Sequence, residues 1–121
     1  MIQTRQTGKY DLEDRTFAFA QRVRALAKSL PHTLANIEDS RQVIRSSGSV
    51  GANYIEANEA LSKKDFLMRL KISRKEAKET HYFLRLLDTG ATTKAERERT
   101  ALVQEAHELL RIFSAIIEKS S

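Results

Sequence analysis

Apolar side chains recur every three or four positions along most of this 121-residue chain, which is the spacing of amphipathic α-helices. Strand-like alternation of apolar and polar residues is absent, and one proline with four glycines leaves little sequence for β-turns. The pattern therefore predicts an all-α protein with four helices. The core-facing positions of the first predicted helix are Thr16, Phe19, Val23, Leu26 and Leu30.

The flanking residues set the predicted limits of the first two helices. Helix 1 is predicted from about Leu12 to Leu30. Asp11 is its predicted N-cap, and Pro31 ends it because proline disfavours helical geometry at the preceding residue. Helix 2 is predicted at about residues 36–60.

The middle of helix 2 carries an internal conflict. Residues 46–51 read SSGSVG, which is typical of a loop, and each mid-helix glycine costs about 1 kcal/mol relative to alanine. A helix break near residue 47 is therefore the alternative. We predict a continuous helix because Gly48 and Gly51 share a face with Ile44 and Ile55, where glycines allow a facing helix to approach closely.

Helices 3 and 4 have clearer boundaries. Helix 3 is predicted to begin after Ser62, a good N-cap, and to end near Asp88, with a left-handed stop at Gly90. Helix 4 is predicted to begin at Thr93, where Thr93 and Glu96 have the spacing of a capping box. Its predicted core positions are Leu102, Ala106, Leu109, Phe113 and Ile116.

The short connections predict that neighbouring helices run antiparallel. The expected fold is an up-down-up-down four-helix bundle. Residues 11–121 would form this single domain, preceded by a flexible N-terminal segment at residues 1–10.

Helix 3 has two sets of apolar residues on different faces. One four-helix core would not use both, and surplus apolar surface favours association. The main stripe is Phe66, Leu70, Ala77 and Leu84, and the second set is Met68, Ile72, Phe83 and Leu86. We therefore expect a homo-oligomer.

Composition narrows the function classes. There is no cysteine, which excludes disulfides and thiolate chemistry, and we see no apolar run near 18 residues. The N-terminus lacks the apolar core of a signal peptide. We expect a cytoplasmic protein with no membrane partner and no cofactor.

The net charge is +5, and residues 62–90 alone carry +4, which favours a polyanionic partner for that segment.

The basic residues of helix 3 fall within about 80° of one another on a helical wheel, and the row would be roughly 30 Å long at 1.5 Å per residue. Such a row suits the phosphate backbone of RNA or DNA, and Tyr82 on the same stripe is placed to stack on a base. An ordinary solvated helix face is the alternative. The predicted nucleic-acid-binding residues are Lys64, Lys71, Lys75, Lys78 and Arg85, with Lys63 and Arg74 at the edge.

Polar residues also follow helical spacing on helix 2. Ser49, Asn53 and Glu56 form one stripe, which is either a solvated face or a binding or assembly surface. On helix 3, Glu76 and Glu79 have the spacing of salt-bridge partners and are weak candidates for a catalytic pair. Glu76 faces Arg69 across two turns in this interpretation.

The three histidines show no metal-ligand spacing, so no metal site is predicted. The separation of Arg74 and His81 resembles that of the all-α HEPN ribonucleases, in which these residues of two subunits meet and cut RNA. Lys75 departs from that family's usual residue type after the arginine. This enzyme hypothesis is the third alternative.

Three segments carry a broader resemblance. Residues 49–60 (SVGANYIEANEA), 62–66 (SKKDF) and 71–80 (KISRKEAKET) resemble the bacterial four-helix bundle family, also known as the 23S ribosomal RNA intervening-sequence protein family. The resemblance covers about residues 10–88, and helix 4 matches only in pattern. Asn58 is a minor departure, since members often have a small residue there.

This resemblance implies a left-handed antiparallel bundle that assembles as a homopentamer. It also implies relatedness to the accessory variability protein of diversity-generating retroelements, which binds nucleic acid and a reverse transcriptase. No catalytic residues are established for the family. The polar family positions carried onto this chain are Ser49, Asn53, Glu56, Glu59, Lys75, Glu76 and Glu79.

The sequence thus predicts a non-enzymatic, oligomeric helical bundle that binds RNA, another nucleic acid or a nucleic-acid-associated protein through the basic face of helix 3. The alternatives are a purely structural or protein-interaction module, and the HEPN-like ribonuclease.

Overall fold

The described residues of the chain form four α-helices. The computed structural model describes residues 7–121, with side chains from Leu12 onward, so most of the predicted flexible segment 1–10 lies outside the described residues. The helices are α1 (Thr7–Ser29), α2 (Leu34–Asn58), α3 (Lys63–Leu86) and α4 (Thr93–Ser120). Each helix packs against its chain neighbours, and α1 also packs against α4, which closes the ring. The predicted all-α, up-down-up-down bundle is confirmed.

Side-chain caps start two of the helices. The hydroxyl of Thr33 accepts a hydrogen bond from the backbone N–H of Asn36, 3.1 Å away, at the beginning of α2. The hydroxyl of Ser62 accepts from the N–H of Asp65 at 3.1 Å, which confirms the predicted cap of α3. Each bond satisfies one of the N–H groups that a first helical turn leaves without an internal partner.

Two predicted caps are wrong. Helix α1 begins at Thr7, so Asp11 lies inside the helix instead of capping it. At α4 the N-cap is Thr92, which makes no side-chain cap bond, and the predicted capping box does not form. The Glu96 carboxylate is instead held by the Arg99 guanidinium and by the Thr89 hydroxyl, and these bonds lower its pKa.

The predicted core stripes occupy the centre of the bundle. Every predicted core position of helix 1 is at most 4% exposed. On α4 the stripe is Leu102, Ala106, Leu109 and Phe113, each 0% exposed, and it continues at Ile117 instead of the predicted Ile116, which is only partly buried. The rings of Tyr54 and Phe113 pack with their centroids 5.9 Å apart.

Helix α2 runs without interruption through its serine- and glycine-rich middle, as predicted. A Cβ atom on Gly51 would lie 2.7 Å from Thr16 Oγ1, so α1 approaches α2 as closely as glycine allows. Ser46 is fully buried and shares a 2.7 Å hydrogen bond with Thr80 of α3. The loop-like residues are therefore tolerated because they allow close packing and have hydrogen-bond partners in the core.

One buried amide joins the two connections at one end of the bundle. Asn36 is 2% exposed, and its Nδ2 donates to Pro31 O at 2.9 Å and to Asp88 O at 2.8 Å. Its Oδ1 accepts from the Asp88 N–H at 2.9 Å. Beside this contact Gly90 adopts a φ of +69°, which places the predicted left-handed residue just beyond α3.

None of the four described helices combines the length and the apolar composition required to cross a bilayer.

Candidate nucleic-acid interface

The basic residues of α3 all reach the surface. The five predicted contact residues are exposed, and Tyr82, which lies between two of them in the chain, is 55% exposed. The Tyr82 ring stands edge-on to Phe83, with centroids 5.2 Å apart and an interplanar angle of 84°. We call this surface the α3 basic face, and its members are Lys64, Lys71, Lys75, Lys78, Tyr82 and Arg85.

Most of this charge is not neutralised within the described part of the chain. Lys75 Nζ lies 3.7 Å from Glu76 Oε2. None of the other four cations of the face comes within ion-pair distance of a described carboxylate. An unneutralised row of cations on one helix produces a local positive potential.

A histidine pair borders the face on its α4 side. The rings of His81 on α3 and His107 on α4 have centroids 6.0 Å apart. Burial lowers the pKa of His81, and the positive charge of Arg85 and the proximity of His107 lower it further. Each of these effects favours the neutral imidazole of His81. Sequence reasoning missed this pair because the two residues are distant in the chain.

The polar seam between α2 and α3 lies beside the face. Arg45 of α2 donates to the Glu76 carboxylate at 3.4 Å and to that of Glu79. The Glu76 side chain is only 7% exposed, so Arg45 supplies the countercharge for a nearly buried carboxylate. Hydrogen bonding to Glu79, followed by the charge of Glu76, raises the pKa of Arg45. The predicted salt-bridge role of the two glutamates is confirmed.

The predicted partner of Glu76 is wrong. Arg69 does not face Glu76 but donates to Asn53 Oδ1 on α2 at 3.0 Å. Asn53 in turn donates to Ser49 Oγ at 2.9 Å. The packing of α3 on α2 pairs Arg69 with Asn53 across the two helices, which the helical wheel of one helix does not reveal.

The polar stripe of α2 therefore has two parts. Ser49 and Asn53 are half-buried and belong to the α2–α3 seam. Glu56 and Glu59 are exposed, and neither forms an ion pair with a described basic side chain.

Arg74 and His81, the residues of the ribonuclease hypothesis, are both half-buried on α3. They are seven positions apart, which is about 10 Å along the helix axis at 1.5 Å per residue. They do not converge within one copy, so this chemistry would need a second subunit. Across residues 12–121, no group of three or more histidine and carboxylate side chains is placed to hold a metal ion.

Comparison with known proteins agrees with this architecture. The family model of the 23S rRNA-intervening sequence protein matches residues 9–115. The fold is similar to the crystal structure of a protein of unknown function from the S23 ribosomal protein family of Bacteroides thetaiotaomicron VPI-5482. The two chains share 34% identity with a TM-score of 0.74, over 87% of this chain and 96% of the other. No curated protein gives a significant match.

Proposed function

Since the chain belongs to the 23S rRNA-intervening sequence protein family, we propose that it is a non-enzymatic, oligomeric protein of the bacterial cytoplasm that binds RNA or another nucleic acid. The α3 basic face is the proposed contact surface. The observation that carries the proposal is the exposure of all five cations of that face, four of them without a described carboxylate partner.

The geometry of the face suits a phosphate backbone. Lys64 and Arg85 are 21 residues apart, which is about 32 Å along a helix. Lysine and arginine contacts to phosphates release counterions, so binding is expected to depend strongly on salt and weakly on sequence. Tyr82 adds an exposed ring on the same row, on which an unpaired base can stack.

The test compares two double variants with equal loss of charge. Lys71→Gln/Lys75→Gln removes two cations from the face, and Lys94→Gln/Lys119→Gln removes two exposed cations from α4. Binding of two unrelated labelled RNAs is measured across a salt series. We expect the α3 variant to weaken both RNAs similarly and to flatten the slope of log affinity against log salt by about 0.7–0.9 for each phosphate that the variant no longer neutralises.

The matched α4 variant should keep the parent slope. If the parent protein binds neither RNA even at low salt, the α3 basic face is a solvated helix surface and the structural or protein-interaction alternative replaces this proposal. RNA cleavage that is abolished by Arg74→Ala and by His81→Ala would instead support the ribonuclease alternative.

The proposed oligomer uses another part of α3. Met68 is 46% exposed and Leu86 is 50% exposed, while Phe83 packs against the core and Ile72 is half-buried. Only part of the second apolar set is therefore left on the surface. Met68 and Leu86 support association of several copies, and we propose the homopentamer that the family resemblance implies.

A further inference from the structure

A long groove runs along the surface between α1 and α2, on helices that the α3 basic face does not use. It comprises two adjoining cavities of about 520 and 490 Å³ that share Arg24 as a lining residue. Small residues of both helices form part of its lining. These are Ala20, Ala27, Gly48, Gly51 and Ala52.

Large apolar side chains border this α1–α2 groove without being covered. Phe17 is 65% exposed, Ile37 is 44% exposed and Ile55 is 47% exposed. Ile37 and Ile55 lie 18 residues apart on α2, about 27 Å or five helical turns. Apolar side chains on both helices of one groove mark an interaction surface more strongly than single exposed residues do.

The charge along the groove has one predominant sign. Arg24, Lys28 and Arg41 line it, and none of them forms an ion pair with a carboxylate of the described residues. The Arg24 guanidinium donates to Ala20 O at 3.1 Å and lies over Gly48. Glu13, at one end, is the acidic residue of the lining, and it accepts a hydrogen bond from Asn58.

We propose that the α1–α2 groove binds an acidic amphipathic helix from a partner protein. An apolar helix face fits a groove of this length. Acidic side chains flanking that face would meet Arg24, Lys28 and Arg41. The charge disfavours the α3 basic face of a second copy as the occupant, because it would bring lysines against these three cations. The apolar border disfavours a phosphate backbone.

The probe is a labelled 18-residue helical peptide with leucines at helical spacing and glutamates on both flanks. The control peptide has the same sequence with lysine at every glutamate position. We expect the glutamate peptide to bind saturably in fluorescence anisotropy and the lysine peptide not to bind. Ile37→Asp and Ile55→Asp should each weaken the glutamate peptide by about tenfold or more. Arg24→Glu should weaken the glutamate peptide and strengthen the lysine peptide.

Lys71→Gln/Lys75→Gln is the control, and it should bind the glutamate peptide as the parent does, whether or not the α3 basic face binds RNA. The substituted side chains are exposed, so the variants should fold, and circular dichroism tests this. Equal binding of both peptides would overturn the proposal. An oligomer that Ile37→Asp dissociates in sedimentation would make the groove a self-interface, and RNA binding that Arg24→Glu abolishes would make it a nucleic-acid surface. Either result would also overturn it.

Discussion

Thr16 and Gly51 show how single residues set the distance between two helices. Thr16 is 1% exposed, and its hydroxyl donates to the carbonyls of Leu12 and Glu13 in its own helix. Its position is therefore fixed by α1, and the space above Gly51 is occupied. At Gly48 the covering group is the end of the flexible, exposed Arg24 side chain. Two glycines three residues apart thus differ in how much substitution they tolerate.

The two positions give opposite predictions for the same substitution. Gly51→Ala places a Cβ 2.7 Å from Thr16 Oγ1 and should reduce the free energy of unfolding by about 1–3 kcal/mol through overpacking. Gly48→Ala meets only the Arg24 guanidinium at 3.3 Å, so the gain in helix propensity should stabilise by up to about 1 kcal/mol. Urea denaturation measures both. A stabilising Gly51→Ala would contradict the close packing of α1 on α2.

His81 predicts a dependence of stability on pH. Its folded-state pKa lies below the ordinary value of 6.5 because of burial, Arg85 and His107. The folded protein therefore binds a proton at this site less readily than the unfolded chain does. This contribution to stability is present above pH 6.5 and is lost as the pH falls through the lower folded-state pKa.

Urea denaturation between about pH 7.5 and 5.5, above the range in which carboxylates titrate, isolates this effect. We expect the free energy of unfolding of the parent to decrease as the pH is lowered across this range, and that of His81→Gln to decrease less. Parallel curves for the parent and His81→Gln would show that the histidine pair does not couple folding to protonation.

At the scale of secondary-structure elements, Asn36 connects segments 52 residues apart in the chain. It lies in the first turn of α2 and reaches the α3–α4 connection, so the end of the bundle is held by side-chain hydrogen bonds as well as by packing. All three bonds of its amide are made to backbone groups. Their loss would leave buried donors and acceptors without partners.

Asn36→Ala should therefore lower the free energy of unfolding by roughly 1–3 kcal/mol. Gln42→Ala is the matched control, since Gln42 is exposed on the same helix, and its effect should be small. Chemical denaturation of both variants measures their free energies of unfolding. Equal stabilities for the two variants would mean that the amide bridge contributes little.

The elements also show where sequence reasoning succeeds and where it stops. Apolar spacing located all four helices, because burial of one face is a property of each helix alone. The Ser62 cap was predictable for the same reason, since the bond from Asp65 is local. The Arg45 ion pairs and the Arg69–Asn53 bond were not predictable, because they depend on how α2 and α3 are rotated against each other.

The candidate binding surfaces were likewise predictable only where they depend on one helix. The row of cations along α3 could be read from the sequence, since all its members lie on one helix. The α1–α2 groove could not be predicted, because residues of two different helices form it. The exposure of the second apolar set of α3 was overestimated for a related reason. The helical wheel placed Phe83 away from the main stripe, but in the bundle Phe83 packs against the core.

At the scale of the whole molecule, ion pairs between α1 and α4 neutralise acidic side chains of α4. Arg15 of α1 binds Glu105 at 2.7 Å and Glu108 at 2.9 Å, and Arg22 binds Glu98 at 3.0 Å, all on α4. These acidic side chains of α4 are thus engaged at the α1–α4 seam, away from α3. The α3 basic face has one ion pair to a described carboxylate among its five cations, so it keeps most of its positive charge, and a ring of copies would repeat that charge.

The oligomer prediction follows from the apolar residues beside that face. We expect the parent to sediment as a closed ring, with a pentamer as the specific expectation. Met68→Glu/Leu86→Glu should dissociate it, because the change places charges in an apolar contact that excludes water. Leu61→Glu is the control, since Leu61 is fully exposed in the α2–α3 connection and should leave assembly unchanged.

The same variants link assembly to nucleic-acid binding. If one RNA strand contacts the α3 basic faces of several copies, dissociation should reduce the number of phosphates neutralised and flatten the salt dependence of binding. Sedimentation equilibrium at micromolar concentration and RNA titrations are therefore run on the same samples. A parent that sediments as a strict monomer would refute the ring. Met68 and Leu86 would then be ordinary exposed residues, and the α3 basic face would have to bind RNA, if it does so, as a single row of cations.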